Sequence, residues 1–229
     1  MGNSFDLPTL FTTPWMQSLH GLSWVTNLWT TIPAEQLEKL SKNPSFLPQL
    51  NTLHYASSGM LDKLLTERKI VRLSGAVNQT TLMETHPNKK FVTHLSVDSY
   101  SLNRIFNSHG GIKQFCNLKH IGALAFAEYG GHNLNALDSV NRVFNSIVEL
   151  KHLSSVDGFM DLRAIYYDDP WDQVLLTQLE GAHPKLCRIF LSGTSPCVWV
   201  RKDGSQVWER HKIPSFSSWD VVTDRYDHI

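Results

Sequence analysis

The chain has 229 residues, 41% of them hydrophobic, with 21 basic and 21 acidic side chains and a formal net charge of zero. That apolar share supplies one substantial core and excludes a mainly disordered chain. The charge balance excludes a whole-molecule basic field for nucleic acid or anionic lipid.

In chain order, residues 1–20 read as a lead-in. Their start, MGNSFDLPTLFTTPW, has neither a basic cluster nor a continuous apolar run, so it does not read as a secretion signal. One short pattern then recurs: an apolar residue, two of any type, a second apolar residue, one of any type, and often a third apolar residue. It predicts strands at Val25–Leu28, Leu50–Tyr55, Ile70–Leu73, Val92–Val97, Ile121–Phe126, Leu162–Tyr167 and Leu186–Leu191. The second apolar positions are Leu28, Leu53, Leu73, Leu95, Leu124, Ile165 and Ile189, separated by 25, 20, 22, 29, 41 and 24 residues. Most of these steps fall in the roughly 20–29-residue period of a leucine-rich repeat.

Segments of helical spacing lie between the strands. Pro33 opens the first, with Leu37 and Leu40 behind it. Met60, Leu61, Leu64 and Leu65 share one side of the next, and Leu102, Ile105 and Phe106 mark a short third one. Asn133–Leu150 places Leu134, Leu137, Val140, Phe144, Ile147 and Val148 on helical spacing, with Asn133 as cap. The segment Asp169–Gly181 has an acidic cap, Pro170 at its first position and Gly181 past its end.

Strands alternating with helices at short distance imply parallel strands joined by crossovers. Each unit is too small to bury a core alone, so neighbours must stack. The expected fold class is α/β: an irregular leucine-rich-repeat-like solenoid with a parallel sheet of about seven strands and a C-terminal β-hairpin cap. A single domain is expected over 1–229, with repeats over 21–192, the capping hairpin over 193–212 and a tail over 213–229. The cap is VWVRKDGSQVWER, Val198 to Arg210, in which Asp203-Gly204 is a hairpin turn signal. Trp199 and Trp208 are expected to pack as a cross-strand pair over the open end of the array.

Taken together, the irregular repeats, the HPKLCRIFL strand and the VWVRKDGSQVWER ribbon resemble the carboxy-terminal leucine-rich-repeat region of fungal, mushroom-type F-box-like proteins, from about Leu19 to Arg210. The resemblance implies substrate recognition for a ubiquitin ligase, in which an F-box binds an adaptor and the repeats hold the protein to be modified. No F-box is identified ahead of these repeats, so adaptor binding is implied for a longer form.

Neighbouring side chains of a strand face opposite sides. With the second apolar positions turned inward, their neighbours face out on the concave side: Asn27, Thr52, Ser74, Ser96, Ala123, Ala125 and Ala164 among small or polar residues. The partner-binding candidates are Trp29, His54, Arg72, His94, Tyr166, Arg188 and Phe190, because aromatic and arginine side chains dominate interface energies. The expected partner is a protein; no nucleic acid, membrane, cofactor or metal is expected.

No catalytic constellation stands out. H-E-x-x-H and G-x-S-x-G are missing, His109-Gly110-Gly111 reads as a glycine turn, and Asp168-Asp169 reads as a helix cap. A non-catalytic protein-binding module is therefore expected, with no catalytic residues. Two alternatives stay open. One is a serine hydrolase on a compact α/β sheet, with Ser192 or Ser195 near His183 or His211. The other is a structural remnant without a partner of its own. Cys116, Cys187 and Cys197 form no C-x-x-C, and no run of about 18 apolar residues occurs, so an intracellular setting, cytoplasmic or nuclear, is expected. Residues 61–120 carry nine basic side chains against four acidic, and 121–182 three against nine, a polarity read as solvated faces.

Overall fold

A computed structural model of the protein describes residues 13–24, 39, 42–56, 67–76, 89–97, 102, 105–106, 111–125, 145, 147–159, 183, 185–192, 196–202, 205, 207–223 and 225–226. These residues include one nine-stranded sheet whose spatial order is its sequence order. The strands are β1 (Gly21–Trp24), β2 (Thr52–Ala56), β3 (Arg72–Ala76), β4 (His94–Val97), β5 (His120–Ala125), β6 (Ser155–Phe159), β7 (Arg188–Ser192), β8 (Cys197–Arg201) and β9 (Trp208–Lys212). From β1 to β7 every neighbouring pair is parallel; β8 and β9 return antiparallel. The architecture is α/β, mostly parallel, with short helical pieces: α1 is Pro14–Gln17 and α2 is Ser218–Val222.

Register puts one apolar residue of each parallel strand in a single row: Leu22, Leu53, Leu73, Leu95, Ile121, Val156 and Ile189. From Leu53 onward these side chains are all fully buried. A second row runs three residues earlier, through Leu50, Ile70, Val92, Leu118, Leu153 and Leu186, and it is buried too. Each side chain so enclosed contributes about 1.5–3 kcal/mol of transfer free energy, an upper value for a chain that is partly collapsed when unfolded.

The chain enters most of these strands through the same tight turn. Leu50 donates its N–H to the Leu47 carbonyl, Val92 to Lys89, Leu118 to Phe115, Leu153 to Leu150 and Leu186 to His183, all at 3.0–3.1 Å. Neighbouring units are then tied by backbone bonds at equivalent places. Val71 donates to Asn51, Thr93 to Val71, Lys119 to Thr93, Ser154 to Lys119 and Cys187 to Ser154, at 2.7–2.9 Å. Every one of these entry segments therefore satisfies its backbone on the unit before it.

The structure corrects the phase of one predicted strand and shows two that the sequence reading did not mark. The first strand of the sheet is Gly21–Trp24; the predicted Val25–Leu28, with Asn27 and Trp29, lies outside the described residues. In the fifth, Ile121 rather than Leu124 occupies the apolar row, and a bulge between them lets Leu124 pair with Gly158. The sixth is Ser155–Phe159, while Leu162–Tyr167, with Ala164, Ile165 and Tyr166, lies outside the described residues. Each true strand fits the same pattern in another phase: Leu19-x-x-Leu22, Leu118-x-x-Ile121 and Leu153-x-x-Val156. In the fifth strand Ile121 and Leu124 satisfy the spacing equally, and in the sixth the pattern breaks at Asp157-Gly158 after Val156.

Of the predicted helices, Leu102, Ile105 and Phe106 are helical, with Leu102 and Ile105 buried in the main core. Ile147 is buried likewise, but Val148, expected on the same apolar side, lies in a turn and is 49% exposed. The predicted segments over 32–38, 58–65, 133–144 and 169–181 lie outside the described residues.

The C-terminal hairpin closes one end of the main core. Trp199 and Trp208 are partly buried against it. They are not directly opposed: Trp199 pairs with Arg210 and Trp208 with Arg201, which sets the indoles diagonally on one face. Arg201 donates to the Leu186 carbonyl at 2.6 Å and stands 5.2 Å from the Trp208 ring, so it joins the last entry turn to the cap. Ser205 N–H bonds the Lys202 carbonyl at the connection. Both indole Nε1 atoms are buried without a hydrogen-bond partner, so the indoles act as apolar plates here.

Candidate functional site

The opposite face of the sheet has a different composition. The residues just before the apolar row are Thr52, Arg72, His94, His120, Ser155 and Arg188, in register on successive strands. Those just after it are His54, Ser74, Ser96 and Gly122, then Asp157 and Phe190. Five of the seven predicted partner-binding residues, His54, Arg72, His94, Arg188 and Phe190, thus share one face. Trp29 and Tyr166 lie outside the described residues. The phase shift in β5 replaces the expected Ala123 and Ala125 with His120 and Gly122, and β6 brings Ser155 and Asp157.

These side chains form a polar ladder. His54 Nδ1 lies 3.0 Å from Ser74 Oγ, and His94 Nδ1 lies 2.8 Å from Thr93 Oγ1. The His94 and His120 rings stack at 5.8 Å. His120, wholly buried, has its Nδ1 2.8 Å from Ser155 Oγ. Its Nε2 stands 3.4 Å from Asp157 Oδ2, close enough for attraction to a protonated ring but not aligned as a hydrogen bond. Gly122 is where these rows close up. A Cβ there would come within 2.6 Å of Asp157 Oδ2 and closer still to Ser96 Oγ, so the position admits no side chain without displacement of its neighbours.

The chain itself covers part of this face: His54, Arg72, His94 and Arg188 stay partly exposed, while Ser74, Ser96, His120 and Phe190 are buried. After β9 the chain turns back, with Ile213 N–H bonded to the Pro196 carbonyl at 3.3 Å. It runs across the sheet and packs α2 against β3, β4 and β5. The sequence Ser217-Ser-Trp-Asp220 builds a capping box: Ser217 Oγ accepts from Asp220 N–H at 3.3 Å, and Asp220 Oδ2 accepts from Ser217 N–H at 2.9 Å. Burial works to raise the Asp220 pKa, yet bonds from Ser217 and Arg225 win and hold it below the usual carboxylate range.

Two predicted site arginines bind this segment's backbone. Arg72 Nη1 donates to the Val222 carbonyl at 2.6 Å, and Arg188 Nη1 to the Tyr226 carbonyl at 3.3 Å. The Trp219 ring lies 5.5 Å from His54. Phe190, expected as an exposed ring, is 1% exposed and sits 5.7 Å from both Phe216 and Tyr226. With Val198, Ile213 and Val221 these rings make a second, smaller apolar cluster. Burial pushes the His54 pKa below the usual imidazole value, so the fold favours its neutral form.

The two histidines named for a hydrolase are placed differently. His183 Nε2–H donates to the Leu150 carbonyl at 2.6 Å in the interior, and burial lowers its pKa despite that bond. His211 is exposed on β9, 3.8 Å from Glu209. Ser195 lies outside the described residues. The arrangement sequence reasoning missed is Ser155–His120–Asp157, whose members come together through the corrected phase of β5 and through β6, which was not foreseen.

Among the described residues no cluster of three or more His, Cys, Asp or Glu side chains is placed to hold a metal ion, and no helix is long and apolar enough to cross a membrane. Comparison of the chain with protein-family models, with curated proteins and with solved structures returns no match.

Proposed function

We propose that the chain is a non-catalytic, intracellular protein-binding module, a leucine-rich-repeat-like solenoid similar in role to the substrate-recognition repeats of an F-box ubiquitin-ligase receptor. The observation that carries the reading is the run of seven parallel strands in sequence order, with one apolar row position repeated along them and one entry geometry shared by most. Such an array projects side chains from consecutive units onto one long face, which suits an extended protein segment. In a longer form, a ubiquitin-ligase adaptor would be a second partner.

Ser155–His120–Asp157 does not favour a hydrolase over this reading. In a working triad the serine bonds Nε2 and the carboxylate bonds Nδ1. Here the two nitrogens are exchanged, and Ser155 is 4% exposed. A fluorophosphonate probe is expected to leave the protein unlabelled; stoichiometric labelling at Ser155 would establish the enzyme instead.

The binding test is quantitative affinity capture from native cells with the full chain and with Arg72→Ala/Arg188→Ala. Partners that depend on the face are depleted at least about tenfold by the double variant, in line with the loss of two interfacial arginines. An unchanged set of partners would remove the face from the account.

A further inference from the structure

The edge at which the parallel strands begin is charged. β1 to β7 run the same way in sequence order, so the segments that lead into them line one edge of the array. Residues 67–71, 89–93, 111–119, 147–154 and 185–187 lead into β3 to β7, and each segment places an exposed lysine there: Lys69, Lys90, Lys119, Lys151 and Lys185. Consecutive segments touch. Lys69 Nζ stands 4.6 Å from the centre of the Phe91 ring, Asn117 Nδ2 donates to the Lys90 carbonyl at 2.6 Å, and Lys113 Nζ meets Glu149 at 2.6 Å. Neighbouring strands lie about 4.8 Å apart, so these lysines are spread along about 19 Å of the edge. The described residues of the five segments include eight basic side chains and two acidic ones, Glu67 and Glu149. Glu149 is held by Lys113, and none of the five lysines pairs with a described carboxylate. By contrast, residues 57–66, 77–88, 98–110, 126–144 and 160–182, which follow strands in the sequence, carry ten acidic side chains against four basic. Zero net charge thus conceals a basic edge. Like charges in a row repel one another, and an anionic partner relieves that repulsion.

We propose that this edge is a docking surface for an extended acidic segment of a partner protein, bound by one lysine per repeat. The inference rests on the protein-binding reading and gives it a second surface, on the edge rather than on the sheet face. Charge makes the ligand anionic, and the surrounding residues decide among anions. A site for single-stranded nucleic acid sets aromatic platforms beside its cations. Among the described residues of these segments Phe91 is the one partly exposed phenyl ring, and Lys69 and Lys90 already stand over it, the latter at 5.2 Å. Arg68, the one arginine there, is buried and donates to the Asn43, Phe46 and Glu67 carbonyls, so it presents no fork to phosphate. Val148 is the one large apolar side chain exposed in these segments, too little to enter a bilayer. A lysine ammonium is a point charge with three rotatable donors, which suits carboxylates on a chain without fixed geometry. An extended segment rises about 3.3 Å per residue, so about six residues cover the lysines.

The test titrates fluorescein-labelled oligoglutamate into the full chain, with oligoglutamine, oligothymidylate of matched charge and phosphatidylserine vesicles as comparisons. Oligoglutamate is expected to bind, more weakly as salt rises, and oligoglutamine is not. Lys69→Glu/Lys119→Glu/Lys185→Glu should weaken binding at least about tenfold, since each change sets like charge against the ligand. If circular dichroism shows that this variant has lost its fold, Lys119→Gln/Lys185→Gln takes its place, with a loss of about threefold expected. Lys119→Glu alone should weaken binding more than Lys212→Glu, an equal change of net charge at the opposite edge of the sheet. Equal effects of those two changes would overturn the site, as would absence of oligoglutamate binding. Tighter binding of oligothymidylate or of the vesicles would overturn the acidic segment in favour of nucleic acid or membrane. Self-association that salt disperses and the triple variant loses would make a second copy of the chain the occupant, also against the proposal. Arg72→Ala/Arg188→Ala is expected to leave oligoglutamate binding unchanged, and a loss as large as the triple variant's would overturn the edge. An unchanged partner set in the capture experiment removes the sheet face alone and leaves the edge standing.

Discussion

The two faces of this sheet are made by the same strands and obey opposite rules. On one, Leu53, Leu73, Leu95, Ile121, Val156 and Ile189 stack with rows of leucine and isoleucine into a continuous apolar core. On the other, imidazole, hydroxyl, guanidinium and carboxylate groups alternate with one glycine beneath a returning segment. The first face is closed by apolar side chains; among the described residues the second meets its cover through the apolar niche at Phe190, the Trp219 ring beside His54 and arginine bonds to backbone carbonyls. A cover resting on fewer buried apolar contacts is expected to open at lower free energy than the apolar core, and the difference is open to measurement.

The largest effect is expected from the apolar side. Leu73→Ala or Leu95→Ala should cost about 2–5 kcal/mol in urea unfolding, since each removes a fully buried side chain and leaves a cavity. Trp199→Ala belongs to the same class at about 3–5 kcal/mol, because the indole covers the end of that core. Ser74→Ala, on the other face, should shift stability by about 1 kcal/mol or less, the value of one hydrogen bond to His54. Equal losses from Leu73→Ala and Ser74→Ala would erase the distinction between the faces.

An intermediate effect sharpens it. Gly122→Ala should cost about 1–3 kcal/mol by overpacking between Ser96 and Asp157. Adding Ser96→Gly should recover part of that loss, since it removes two of the three crowding atoms and leaves Asp157 Oδ2. A double variant no better than Gly122→Ala alone would show that the crowding is not where the structure puts it.

The smallest effect is the pH response. The His54 and His183 pKa values are both lowered by burial, so the unfolded chain takes up protons more readily than the folded one. Stability should therefore fall as pH drops through the unfolded imidazole value of about 6.5 and downward. His183→Gln should flatten part of that fall, measured as the change in urea midpoint between neutral and mildly acidic buffer. A steeper acid loss in the variant would reverse the assignment.

How much of this was legible in the sequence differs between the faces for a physical reason. The apolar rows repeat, and β2, β3, β4 and β7 were placed by the spacing of Leu50 and Leu53, Ile70 and Leu73, Val92 and Leu95, and Leu186 and Ile189. Ile121 and Leu124 satisfy the same spacing within one strand, so pattern alone did not fix the phase of β5. Val156 escaped because the strand that carries it continues as Asp157-Gly158. The polar face inherits every such slip, since a wrong phase exchanges the residues said to face outward. That is why His120, Ser155 and Asp157 went unpredicted while His54, Arg72, His94 and Arg188 were named. The returning segment did leave a trace: Ser217-x-x-Asp220 is a capping box ahead of Val221 and Val222. That trace marks a helix but not the surface it lands on.

Native-state hydrogen exchange, resolved by residue in the unaltered full chain, tests the central claim most directly. Amides of Trp219 to Thr223 are expected to open well below the global unfolding free energy, while those of β3, β4 and β5 exchange near it. Exchange of α2 only through the same global event as the strands would show that the segment is a fixed part of the core, and would contradict the contrast between the two faces.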